Sequence, residues 1–331
     1  MYQSYFNSIK EVPVKDEHVL SETQQKRSGV TRRCFLKTVA GAAAGIGVSQ
    51  VVNPALVKAL EKGLKRHPVL WIQGQSCTGC SVSLLNSVDP QIADVLLKVI
   101  SLQFHPTVMA GEGETALENL FGIAKEYEGK FSLVVEGAIP TAAKGKYCVF
   151  GEYEHKEYTM VDLVKEVAPM AGSCLAVGTC AAYGGIPAAE GNVTGAAGCR
   201  NFFATNGINT PLVNIPGCPP HPDWIVLSVV HLLEKGLPEL DDEGRPMLFF
   251  GKNIHDNCPR LEMYEADKLS QTLSDPNGCR MELGCKGPYT YADCYKRKWN
   301  SGLNWCVDNA VCTGCVEPGF PDESSPFYEP A

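Results

Sequence analysis

Val69-Leu70-Trp71-Ile72-Gln73-Gly74-Gln75-Ser76-Cys77-Thr78-Gly79-Cys80 runs from four apolar residues, through a glycine break, into a Cys-x2-Cys pair. A short apolar run ending at Gly reads as a buried strand that delivers a loop. The pattern recurs. Phe131–Val135 reads as a strand entering Glu136-Gly137-Ala138-Ile139-Pro140. Cys174–Val177 enters Gly178-Thr179-Cys180, and Leu212–Ile215 enters Pro216-Gly217-Cys218-Pro219-Pro220. A helix is expected from about Ser81 to Asn86, and Met160–Val167 and Trp224–Leu233 have helical apolar spacing; Ile92–Leu102 fits either type. Strands alternating with helices predict an α/β domain, a parallel sheet covered on both faces. Ligands of such sheets collect beyond the carboxyl ends of the strands. Cys77, Cys80, Cys180 and Cys218 each follow an expected strand closely, so they are expected to meet at one sheet edge.

After about Gly236 the regular periodicity weakens, and Gly, Pro, Asn and Asp become frequent. This predicts an irregular, mostly coil and helical C-terminal domain, with division at 1–59, 60–235 and 236–331. The last part carries eight further candidate ligands: His255, Cys258, Cys279 and Cys285, then Cys294, Cys306, Cys312 and Cys315. Metal groups there replace missing apolar burial as crosslinks. Three sets of four soft donors invite three iron–sulfur clusters, each needing about four such ligands. Zinc is the alternative for each set, above all for the one containing an imidazole. Neutral imidazole in place of thiolate makes a cluster less negative and raises its potential, which suits the outlet of an electron path. Nearby Arg260, Arg280 and Lys286 suit a solvated face or the orientation of a redox partner. Trp299 and Trp305, among the last set, read as packing. Cys174 reads as a buried strand residue, while Cys34, Cys148 and Cys199 have no paired spacing.

The chain has 331 residues, 15 of them Cys, too sparse for a small disulfide scaffold. Its formal charge is −8; with 8 of the 29 basic and 4 of the 37 acidic residues in 1–59, the remainder stands at −12. Such an acidic body lacks the basic footprint that nucleic-acid binding needs and suits a basic protein partner. Thr31-Arg32-Arg33-Cys34-Phe35-Leu36-Lys37 precedes a weakly hydrophobic run, Thr38 to Val52, rich in Gly and Ala. This reads as a twin-arginine export signal, cleaved between Asn53 and Arg66, after Ala59 for instance, and implies a periplasmic location. Export of folded chains suits a protein that carries preassembled clusters. The run is too short and Gly-rich for a membrane span.

Taken together the motifs resemble the small subunit of the nickel–iron hydrogenases. The resemblance runs through Ser76-Cys77-Thr78-Gly79-Cys80-Ser81, Glu136-Gly137-Ala138-Ile139-Pro140, Gly178-Thr179-Cys180-Ala181, Gly217-Cys218-Pro219-Pro220, His255-Asp256-Asn257-Cys258-Pro259-Arg260, Gly284-Cys285-Lys286-Gly287-Pro288 and Cys312-Thr313-Gly314-Cys315. It implies a flavodoxin-like N-terminal domain whose first group binds a proximal [4Fe-4S] cluster. It further implies a distal cluster on the His255 group and a medial cluster on the last group. Many relatives have proline where Cys306 stands; Cys306 implies a four-iron medial cluster and resembles the nickel–iron–selenium subgroup.

Ser76 and Val82 replace frequent glutamates, and Gly79 and Ile186 stand where oxygen-tolerant relatives carry extra cysteines. The chain shows no ligand set for nickel, which this resemblance assigns to a separate large subunit, of the Ni-Fe or Ni-Fe-Se type. The implied activity is that of a heterodimeric hydrogenase, an H2:acceptor oxidoreductase. This chain would pass electrons, without catalytic residues of its own, to a periplasmic multihaem cytochrome c of the c3 type. No apolar span follows Cys315, so no C-terminal membrane anchor is expected. A related quinone-reducing subunit keeps only the sheet-edge cluster and lacks the eight C-terminal ligands. From a different class, an exported structural zinc protein without redox activity is the other reading.

Overall fold

The structure is a computed structural model, and it describes residues 66–88 and 91–329. The leader, with Cys34 and the expected cleavage site, lies outside the described residues. Five strands form the main sheet: β1 (His67–Gln73), β2 (Ile100–Phe104), β3 (Ser132–Glu136), β4 (Ser173–Val177) and β5 (Leu212–Ile215). Their spatial order is β2-β1-β3-β4-β5 and every pairing is parallel. This is the flavodoxin-like order, whose topological switch point lies between β1 and β3.

Side chains alternate across the sheet, as the two-residue period of a strand requires. Val69 and Trp71 of β1, with Leu175 and Val177 of β4, enter one core layer. Leu70 and Ile72, with Cys174 and Ala176, enter the other. The Val, Leu and Ile side chains among these each contribute roughly 1.5–3 kcal/mol when fully buried, and a one-residue slip would invert both layers. Helices α1 (Gly79–Leu85), α2 (Gly113–Glu126), α3 (Met160–Val167), α4 (Thr179–Tyr183), α5 (Cys199–Asn206) and α6 (Pro222–Lys235) connect and cover the strands. Leu117, Leu120 and Phe121 of α2, Leu163 and Val164 of α3, and Phe202 and Phe203 of α5 fill one layer. On the other face lie Leu84 of α1 and Trp224 to Val230 of α6. The ambiguous Ile92–Leu102 stretch divides: a helical piece, Ile92–Asp94, then a π-helical one, Val95–Val99, then β2. A hairpin, Val149–Tyr153 with Lys156–Thr159, was not foreseen from the sequence.

Beyond α6 the chain has only helices of three to five residues, such as Leu261–Glu265, Cys294–Arg297 and Cys306–Asn309. It builds no separate apolar core among the described residues. Phe249, Phe250, Ile254, Ala292, Trp305, Val307 and Val316 join the layer already occupied by α6. The C-terminal region therefore rests on the sheet domain, beside the face that carries Cys218. Among the described residues no helix is long and apolar enough to cross a membrane.

Candidate metal centres

The first group assembles at the carboxyl edge of the sheet. Cys77 lies in the loop after β1 and Cys80 in the first turn of α1. Cys180 opens α4 after β4, and Cys218 follows β5. Burial pushes the Cys80 thiol up, then the Glu136 charge, then the neighbouring Cys180, Cys77 and Cys218. Cys180 is pushed up to about 11, first by burial and then by Cys218. The neighbouring thiols are thus close enough to oppose the ionisation of Cys80, Cys180 and Cys218. Glycines let the backbone approach them: at Gly178 (φ +95°) an added Cβ would stand 2.5 Å from the Cys80 sulfur. At Gly185 (φ +52°) it would stand 3.1 Å from the Cys180 sulfur. Both positions combine a left-handed backbone with a space that only hydrogen fits.

Beneath this group sits Glu136, wholly buried at the end of β3 and beside the switch point. Its carboxylate accepts from Trp71 Nε1 and Gln73 Nε2, both at 2.9 Å, and from the Cys80 backbone N–H at 3.1 Å. Ser76 Oγ, the Ser81 N–H and Ser81 Oγ complete the shell. Sequence reading had placed Glu136 in a motif without a role. The available signal was a charged residue closing an otherwise apolar strand.

The second group is equally local. His255, Cys258, Cys279 and Cys285 line one small cavity, with Arg260, Arg280, Ile254, Gly287 and Val307. The Arg260 backbone N–H donates to the Cys258 sulfur at 3.4 Å. Tyr264 stands edge-on to the His255 ring at 4.8 Å between centroids. Cys285 is pushed up to about 11, by burial and then by Cys312 of the third group. Arg280 and Lys286 are 2 % and 8 % exposed, which corrects the reading of a solvated face. Their carbon stems are needed inside, where regular structure supplies little apolar surface.

Cys294, Cys306, Cys312 and Cys315 line a cavity of about 490 Å³ that Trp299 and Trp305 also wall. Cys294 is held well above the ordinary thiol range by burial, then by Cys315 and Cys312. The Cys306 thiol donates toward Cys312, which raises the first and lowers the second. Cys315 is pushed up to about 12 by burial and then by Cys312. Trp305 is 4 % exposed and belongs to the core, in keeping with packing. Of the other cysteines, Cys174 and Cys199 are fully buried in the opposite core layer and Cys148 packs against it.

Two seams order the three groups. Thr179 Oγ1, next to Cys180, donates to the Cys315 carbonyl. The Cys218 backbone N–H donates toward the Cys315 sulfur, and Cys218 also walls the third cavity. On the far side, the Lys286 N–H donates to the Cys312 carbonyl at 2.7 Å, and Ile254 lines both the second and third cavities. The group that comes last in sequence therefore lies between the other two. The buried thiols that resist ionisation, Cys80, Cys180, Cys285, Cys294 and Cys315 among them, become thiolates only when cations offset their charge, so metal loading would release protons. Among the described residues no three His, Cys, Asp or Glu side chains close around a single ion.

Two family profiles divide this chain. Residues 77–232 match the 20 kDa subunit of NADH ubiquinone oxidoreductase, and residues 250–328 match the C-terminal region of NiFe/NiFeSe hydrogenase small subunits. The chain is 58 % identical over 311 residues to the periplasmic [NiFeSe] hydrogenase small subunit of Desulfomicrobium baculatum, covering 90 % of this chain and 98 % of that one. The chain belongs to the nickel–iron hydrogenase small-subunit family.

This hydrogenase small subunit is also 39 % identical over 315 residues to a periplasmic [NiFe] hydrogenase small subunit of Nitratidesulfovibrio vulgaris, covering 93 % and 96 %. Its fold matches the solved Ni-Fe-Se hydrogenase of Desulfomicrobium baculatum in a reduced, active form. The TM-score is 0.78 at 60 % identity, over 81 % of this chain and all of that one. The [NiFeSe] hydrogenase of Desulfovibrio vulgaris Hildenborough in the oxidized state gives 0.78 at 60 % identity, over 80 % and 98 %. Hydrogenase small subunits pair with a large subunit and carry iron–sulfur clusters. The matched first region ends before the eight C-terminal ligands, so it is the second region that separates this chain from the quinone-reducing relatives.

Proposed function

We propose that this chain conducts electrons between a Ni-Fe or Ni-Fe-Se site in its large subunit and an external carrier, through three [4Fe-4S] clusters. The proximal cluster would be held by Cys77, Cys80, Cys180 and Cys218. The medial one would be held by Cys294, Cys306, Cys312 and Cys315, and the distal one by His255, Cys258, Cys279 and Cys285. When bound, the clusters would accept and release single electrons. The observation that carries the reading is the pair of seams, which makes the three groups a continuous series with the last group in the middle. The sheet domain (60–235) orients the first group, and the C-terminal region (236–331) the other two. Cys294 and Cys312 of the middle group are buried and Cys306 is exposed, while His255 would leave the outer group one negative charge lighter.

The donor sets favour this reading over structural zinc. Zinc–sulfur bonds of about 2.3 Å draw four thiolates to within about 4 Å of each other, whereas the four thiols of the third group wall a cavity of about 490 Å³. The carrier is proposed to be a periplasmic multihaem cytochrome c of the c3 type, whose basic surface would meet an acidic chain. Residues 1–59 are proposed to direct export by the twin-arginine route. Iron, sulfide and zinc analysis of the purified heterodimer tests the assignment. About twelve irons and twelve sulfides attributable to this chain are expected; zinc without sulfide would refute it.

A further inference from the structure

The cavity shared by His255, Cys258, Cys279 and Cys285 also contains a buried cation with one idle donor. Arg280 lines that cavity and is 2 % exposed. Its Nη1 donates to the Ala310 carbonyl at 2.6 Å and its Nη2 to the Asp308 carbonyl at 2.9 Å. These two bonds hold the guanidinium against the segment between Cys306 and Cys312. Its Nε–H is sealed from water and has no partner among the described residues. Leaving such a donor unmet is unfavourable, and a purely structural strut would not require it.

The surroundings narrow what could meet it. Arg260, the other cation of the cavity, turns its Nη1 to the carbonyls of Gly278 and Pro276, at 2.7 and 3.2 Å. No carboxylate lies within ion-pair distance of Arg280 among the described residues. Asp308 and Asp275 act on it only at longer range, together with the Cys285 thiol. Besides the His255 ring and backbone carbonyls, the acceptors that line the cavity are the sulfurs of Cys258, Cys279 and Cys285.

We infer that the Arg280 Nε–H donates a hydrogen bond to a sulfur of the group that His255, Cys258, Cys279 and Cys285 would hold, and so sets its reduction potential. The inference rests on the ligand assignment proposed above. Arg280 is then a positioning residue: it orients and polarises a redox group without exchanging electrons itself. Hydrogen bonds and positive charge at cluster sulfurs favour the reduced, more negative state. Arg280 and neutral His255 would therefore act in the same direction, raising the potential at the outer end of the series. The same side chain ties the outer group to the loop of the middle one, so position and potential are set together.

The test uses the intact heterodimer with arginine labelled by 15N at Nε, reduced until the histidine-bearing group is paramagnetic. Pulsed electron paramagnetic resonance should then detect a 15N coupling in the wild type. Arg280→Lys, which keeps the charge and moves the donor, should lose that coupling. Its midpoint for this signal should shift to lower potential, with iron and sulfide content retained. Absence of the coupling in the wild type overturns the inference, as does an unchanged midpoint in Arg280→Lys. If the variant sheds iron, the wild-type coupling still decides. A wild type lacking both the histidine nitrogen coupling and the iron of this site would overturn the ligand assignment, and this inference with it.

Discussion

Replacing Thr179 by Val tests the seam that joins the first and third groups. Thr179 is 1 % exposed, and its hydroxyl performs two tasks. It donates to the Cys315 carbonyl, and it accepts the Gly217 N–H at 2.9 Å. Valine preserves the shape and removes both bonds, so a buried N–H and a largely buried carbonyl are left unmet. At about 1–3 kcal/mol for each unmet group, with partial relief by water at the carbonyl, the loss should total about 2–4 kcal/mol. For a chain of this size that corresponds to a fall in Tm of roughly 5–10 °C. Thr179→Ser keeps the hydroxyl and loses a methyl group, which costs about 1 kcal/mol. Calorimetry of the heterodimer, with the medial-site signal followed by electron paramagnetic resonance, separates the two. Valine should destabilise the complex and release iron from the third group first; serine should do neither strongly. Equal losses in both variants would falsify the bridging argument, because the methyl and not the hydroxyl would then matter.

Cys306→Pro should convert the signal assigned to the third group from a four-iron to a three-iron type, and an unchanged spectrum would remove Cys306 from the ligand set. Glu136→Gln removes a buried negative charge beside Cys80 and weakens bonds from several donors; a loss of about 2–4 kcal/mol and a higher midpoint for the first group are expected, read by calorimetry and redox titration. Glu234, near the end of α6, has its carboxyl pushed up to about 7 by burial, against the opposing charge of Lys235, and its Oε1 lacks a partner. The fold thus favours the protonated acid: this contribution is present below the unfolded value of 4.5 and lost as pH rises through 7. Glu234→Gln should therefore raise Tm at pH 8 and leave it unchanged near pH 4.5. Because the group is half exposed, the gain should be only about 1 kcal/mol; a variant no more stable at pH 8 would contradict it.

Much of the fold was legible because four strands are nearly apolar runs, broken only by single polar residues such as Ser132 and Asn214, as parallel sheets buried on both faces demand. Leu212–Ile215 and Met160–Val167 were read to the residue. Strand β2 was hidden, since in Ile92–Leu102 only Asp94, Lys98 and Ser101 interrupt the apolar residues, and that spacing does not divide helix from strand. The hairpin at Val149–Tyr153 and Lys156–Thr159 was missed because its exposed and half-buried residues show no clean alternation. In the C-terminal region, Cys and His spacing was the only guide. It can serve as a guide because donor chemistry is a property of single side chains, whatever secondary structure carries them.

The sequence by itself determined the inventory of soft donors, its proposed partition into three sets of four, and the α/β class with the first set at strand ends. These follow from local information: residue type, short spacing and two-residue or helical periods. Composition, spacing and periodicity leave the spatial order of the sets open, and only the family resemblance implied it; the tertiary structure decided it, because that order depends on contacts between residues far apart in the chain. Thr179 meets Cys315 across 136 positions, and no period or motif records such a distance. Tertiary structure likewise turned Arg280 from a surface cation into a buried one with an unused donor, and made Glu136 a buried anion beneath Cys80. In each case the environment, set by the whole fold, determines what the charge can do.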